Sequence, residues 1–293
     1  MLAAMIQIAL RWMLPLIALL AVGPLAGMLT ASLHAPDGSH AASLLLSTHP
    51  LRGVLAGVGV LVLAGAMGLA AARIVSPHYG LFSAGIVMAW GAWGTGTIDA
   101  IIRARPAALL PGPSAESATS LFGFLSLEAA ILLPLAVALA WLILRIGRRP
   151  APGSPHQPEP TEVRDASAGV GLIAALAVGG VLVWLIAQES NKGQTFAAAT
   201  IAGVGAAVAG RLAAVRISAA VFVAAIALLA VIAPATALAV HGTGAQPLLA
   251  AQGGLLFNLA RPLPLDYLAG AFVGVPIGLS WAASMLEQHH HKA

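Results

Sequence analysis

The sequence predicts an all-α protein, a polytopic bundle of transmembrane helices. Three observations predict it. Hydrophobic residues fill 59% of the 293 positions and charged residues only 8%, against roughly 25% charged in soluble domains. Mean hydropathy is correspondingly high, at +0.93. Apolar runs of about 20 residues, the length that crosses roughly 30 Å of hydrocarbon, recur along the chain, and its Lys and Arg residues gather at the ends of those runs. So few charges would not cover a soluble protein of this size, so soluble and disordered classes are excluded. The absence of cysteine excludes disulfides, thiolate metal sites and cysteine nucleophiles. A net charge of +4 would suit nucleic acid, but basic residues at helix ends orient membrane spans instead. The expected partner is the lipid bilayer, with no nucleic acid.

Eight spans are expected, near 12–32, 53–72, 81–102, 121–144, 168–187, 195–215, 217–240 and 267–286. A first group of four occupies residues 1–147 and a second occupies 168–293. Between them, 148–167 holds the run RRPAPGSPHQPEPTEVRD, whose prolines and alternating charges predict an extended, solvated tether. With eight spans, nine Lys and Arg residues fall on the side of the termini and the tether and five on the other. That bias places both termini in the cytoplasm of a multi-pass cell-membrane protein.

Residues 1–35 have a competing reading as a secretory signal ending at Leu33-His34-Ala35. The apolar run is too long for a signal core, which favours an uncleaved first span. Loops 33–52 and 241–266 are long, and each holds a short apolar piece, at 42–46 and 255–259. Pieces of that length lie at the interface or dip in against protein. The preceding helices share the hexapeptide IALLAV, at 17–22 and 226–231, followed by Pro24 and Pro234. This is either a transporter-like internal duplication or coincidence in an Ala/Leu-rich chain. In the second span Gly53 and Gly57 form a short small-residue stripe.

The third span carries Trp90-Gly-Ala-Trp-Gly-Thr-Gly-Thr-Ile-Asp99. Its small residues admit a close neighbour; Trp90 and Trp93 either pack or line a pathway. Asp99 is placed for an i,i+4 ion pair with Arg103. In the fourth span Glu128 lies about eight residues inside the membrane, roughly 12 Å deep at 1.5 Å per residue. Its helical neighbours Phe124, Leu125, Ile131 and Leu132 offer no polar group. An acid at that depth costs about 2.5–3.5 kcal/mol to insert. It is read either as a proton- or ion-handling group or as a neutral acid that hydrogen-bonds a neighbouring helix, with Thr95 of the adjacent third span as the expected partner and Asp99 as a second.

The sixth span is interrupted by Arg211. Lys192-Gly193-Gln194 at its start is either an anion-holding helix N-terminus or a plain turn. In the last span Gly270, Gly274, Gly278 and Ala282 form an every-fourth-residue stripe for close helix packing, within the bundle or with another copy, and Pro276 can bend the helix. All nine histidines fall in loops or tails, which argues against a bis-histidine haem in the bundle. His34, His40, His49 and His241 are read as solvated loop residues rather than a metal site. With both lysines outside the spans, an intramembrane Schiff base is excluded. No P-loop, zinc-protease, nucleophile-elbow or paired-acid motif is present. No catalytic residue, cofactor or metal is expected. Two functional classes remain: a non-catalytic helper subunit or scaffold, joining other membrane subunits or copies of itself, and a proton-linked or small-solute transporter or channel using Glu128.

Overall fold

The computed structural model describes residues 2–40, 42–105, 118–147, 166–214 and 217–290. The tether and its His156 lie outside them, apart from the first two residues of α7. Every regular element among the described residues is helical. The chain begins with α1 (Leu2–Ile17), a π-helical turn (Ala18–Val22) and α2 (Gly23–Ala31). There follow α3 (Pro50–Ile74), α4 (Pro77–Gly94), the short α5 (Ile98–Arg103) and α6 (Ala118–Gly147). The second half comprises α7 (Ala166–Ile186), α8 (Lys192–Ala213), α9 (Ala219–His241), the short α10 (Gln246–Gln252), a 3-10 turn (Asn258–Ala260) and α11 (Pro264–His290).

Seven helical stretches are long and apolar enough to cross a membrane. The chain is an integral multi-pass membrane protein. The expected continuous third span over 81–102 is corrected: the helix stops at Gly94 and restarts at Ile98. Thr95 and Thr97 are extended, with ψ of 160° at both, and the Thr97 hydroxyl caps α5 by accepting from Ala100 N at 3.3 Å. Two glycines and two β-branched residues at 94–97 disfavour helix there. At 18 residues, α4 is about 27 Å long. It is packed against α2, α3 and α11.

Helices from the two halves interlock: α4 packs on α11, and α6 on α9. α11 is central, touching α4, α6, α8 and α9, and buries Tyr267 and Phe272. Elsewhere the core is built largely from alanine and glycine, which lets backbones approach without polar side chains at the contact. Gly270, Gly274 and Gly278 lie along α8. An added Cβ at Gly270 would fall 2.5 Å from the Ala199 carbonyl carbon, and one at Gly274 or Gly278 would overlap the carbonyl oxygens of Thr200 or Val204. Ala282 is fully buried in the same row.

The shared IALLAV hexapeptide has no shared backbone. At 17–22 its last five residues form the π-helical turn, whereas at 226–231 it lies within regular α9. After the π turn, Gly23 and Gly27 sit directly on the indole of Trp90. Trp90 is thus a packing platform for the first helix, and Trp93 is 58% exposed. α8 ends at Ala213, with Arg211 in its last turn donating to the Ile217 carbonyl at 3.0 Å.

Candidate functional site

Alternation of the helices brings the loops at 32–49, 95–97, 187–191 and 242–263 to one end of the bundle. There the backbone is irregular, and most of the buried polar side chains among the described residues are committed to it.

Residues 42–47 form a strap that enters between α3 and α6. Leu44 seats on Gly53 and Gly57 of α3, where an added Cβ at Gly53 would overlap the Leu44 carbonyl. Ala42, Ser43, Leu44, Leu46 and Ser47 are all buried. Away from water, strap N–H and C=O groups need protein partners, and three residues from outside the strap supply them for Ala42, Leu45 and Leu46. Gly96 N donates to Ala42 O at 3.0 Å. The carboxylate Oε2 of Glu128 accepts from the Ser43 hydroxyl and from Leu45 N, the latter at 2.9 Å. The Arg105 guanidinium donates to Leu46 O. Glu128, 2% exposed, therefore finds its partners in the strap. The expected bond from Glu128 to Thr95 is not made, because the helix containing Thr95 has already unwound and that residue turns elsewhere.

Thr95 belongs to a second polar cluster, across the break between α4 and α5. Its hydroxyl donates to Ala92 O at 2.7 Å and accepts from the Lys192 ammonium at 2.9 Å. Lys192 also donates to Gly96 O at 3.1 Å and pairs with Asp266 at 2.9 Å. Asp266 is 1% exposed. It further accepts from Thr195 Oγ1 at 3.3 Å and from Leu263 N at 2.9 Å. The latter is the reach-back of a capping box: an acid at the third position of α11 satisfies the N–H of the residue before the helix. One ammonium and one carboxylate thus join the α4–α5 break, α8 and α11. Lys192 turns inward, and the start of α8 is capped by Asn191, whose Oδ1 accepts from Gln194 N at 2.8 Å; of the two readings of Lys192-Gly193-Gln194, this agrees with the turn that starts the helix. Asp99 accepts from Ser190 Oγ at 3.0 Å, and among the described residues it forms no ion pair with Arg103.

The second long loop is fastened in the same way. Arg261, 5% exposed, donates to Leu256 O at 3.2 Å and to Gly254 O at 2.7 Å. Burial pulls its guanidinium below the ordinary value, opposed by Asp99 and Glu189. Phe257 N donates to His241 Nε2 at 3.1 Å, Tyr267 OH to Leu259 O at 2.7 Å, and Asn258 Nδ2 to Trp184 O at 2.7 Å.

The sequence reading missed Asp266, Arg105, Arg261 and Ser43 as structural groups, and placed Lys192 outside the spans without an internal partner. One signal was available: Asp266 follows Pro264 at the capping-box position. The others depend on where loops fold back, which periodicity does not report. The space beside Glu128 amounts to about 10 Å³ and is walled by Leu44, Leu45, Val54, Val58, Ile131, Leu132 and Leu135. No group of three or more His, Asp or Glu residues able to hold a metal occurs among the described residues. No known protein family, curated protein or solved structure matches the chain.

Proposed function

We propose that this chain is a non-catalytic membrane component, a helper subunit or scaffold that joins other membrane subunits or copies of itself, with both termini in the cytoplasm. The observation that carries this reading is the commitment of Glu128. Its Oε2 holds two donors of the strap, and the roughly 10 Å³ beside it is lined by aliphatic side chains. A water needs about 10–15 Å³ and two to four polar partners, so this wall does not support a hydrated proton route to the acid.

A second reading has one observation in its favour. Unwound backbone inside a bundle, with a charge pair set against it, is how many transporters build a site, and the break at 95–97 beside Lys192 and Asp266 has that form. A proton-linked or small-solute transporter is therefore the alternative.

Reconstitution into liposomes with a trapped pH dye separates the two. The expected result is no pH-driven flux in the wild type or in Glu128→Gln, with both forms equally folded. Wild-type flux that disappears in Glu128→Gln would overturn the helper reading.

A further inference from the structure

We propose that the pocket between the end of α2 and the start of α3 binds the phosphate group of an anionic membrane phospholipid. It is a cavity of about 270 Å³ lined by Ser32, Leu33, His34, Ser47, Thr48, His49 and Arg52. Two histidines and an arginine border it, and among the described residues no carboxylate does. Arg52 makes no ion pair or side-chain hydrogen bond among the described residues. The acid of the same loop, Asp37, is held by Ser39, whose N and Oγ donate to it at 2.9 and 2.7 Å.

The walls are fixed in place. Thr48 donates to His34 O through both its N and its hydroxyl, each at 2.8 Å. Ser47 Oγ donates to His49 O at 3.1 Å, and the His34 ring is set by Nδ1 lying 3.0 Å from Ser32 O and by contact with the tilted His40 ring, centroid to centroid 4.6 Å. The backbone walls and the His34 ring are thus held in place without a ligand, and the exposed His49 and Arg52 side chains border the same space.

Position selects a lipid over a soluble anion. The pocket lies where two spanning stretches, Ala9–Ala31 and Pro50–Ile74, reach the membrane edge. Directly along those helices, Met28, Leu51, Leu55 and Val62 are 67%, 74%, 62% and 64% exposed. On α3 the spacing of 51, 55, 58 and 62 is one helical face, and it runs from the pocket into the bilayer. An arginine-bearing pocket above an apolar face matches a phosphate with acyl chains attached, since a guanidinium pairs with phosphate through charge-assisted hydrogen bonds.

The test uses the full chain in mild detergent, melted with added phosphatidylglycerol, phosphatidylcholine or inorganic phosphate. Phosphatidylglycerol is expected to raise the melting temperature saturably by a few degrees, more than phosphatidylcholine does. Arg52→Ala and the pair His34→Gln with His49→Gln should each remove most of that rise, while Arg73→Ala at the opposite end keeps it. Because Arg52 is exposed and makes no ion pair among the described residues, its loss is expected to leave the fold intact, which circular dichroism checks. An equal response to both lipids, or a full response in Arg52→Ala, overturns the site. A rise of the same size with inorganic phosphate alone overturns the lipid assignment.

Discussion

A carboxylate placed in hydrocarbon is expensive unless its acceptor capacity is used, and Glu128 uses it on groups that would themselves be orphaned. Ser43 Oγ and Leu45 N both donate to it. Glu128→Gln keeps an acceptor oxygen at that point, so yield and melting temperature should stay close to wild type. Glu128→Leu strands two buried donors, each costing about 1–3 kcal/mol, and should lower the melting temperature in detergent clearly. Equal melting of the Gln and Leu variants would show that the strap does not depend on the acid. The Lys192–Asp266 pair makes a separate prediction. Removing one partner, in Lys192→Met or Asp266→Leu, leaves a buried charge uncompensated and should cost about 3–5 kcal/mol, whereas the double variant should recover much of the loss. Unfolding measurements on the cycle decide it; additive losses would mean that the two charges act independently. At this scale the sequence was half legible. Depth along a helix marked Glu128, but its partner Ser43 sits 85 positions away, in a loop whose inward fold leaves no periodic trace.

Elements were more legible, since length and apolarity alone mark a span, and the places where that logic failed have local causes. The third span breaks because Gly94-Thr95-Gly96-Thr97 disfavours helix and because Lys192, Ala42 and Thr97 each take up backbone or hydroxyl groups freed there. The hexapeptide at 17–22 departs from its copy at 226–231 because the residues after it differ: Gly23 and Gly27 must meet the Trp90 ring. Small-residue stripes also take different partners. On α11 the row at 270, 274 and 278 receives the α8 backbone, while Gly53 and Gly57 of α3 receive the side chain and carbonyl of Leu44. Gly274→Leu should therefore force α8 and α11 apart and lower the melting temperature strongly. Ala283→Leu, on the exposed side of the same helix, should change it little. Similar melting of these two variants would remove the stripe as a packing determinant.

Across the whole molecule, polarity is sorted between the two ends, and this bears on orientation. Counted along the sequence with eight spans, nine Lys and Arg residues are expected on the side of the termini and the tether and five on the other. Of those five, Lys192, Arg105 and Arg261 are drawn into the protein, where they hold Asp266, Leu46 O, and Leu256 O with Gly254 O. Arg52 and Arg103 alone remain exposed there. The strap end thus shows little basic charge to water, a distribution in keeping with the proposed cytoplasmic termini. Cysteines introduced singly at Ser154 and Ser167 should react with a membrane-impermeant thiol reagent only after the cells are opened. Cysteines at Ser39 and Thr243, both at the strap end, should react in intact cells. The chain has no cysteine of its own, so each label reports one position. Labelling of Ser154 in intact cells would invert the orientation, and the phosphate pocket beside Arg52 would then face the cytoplasmic leaflet.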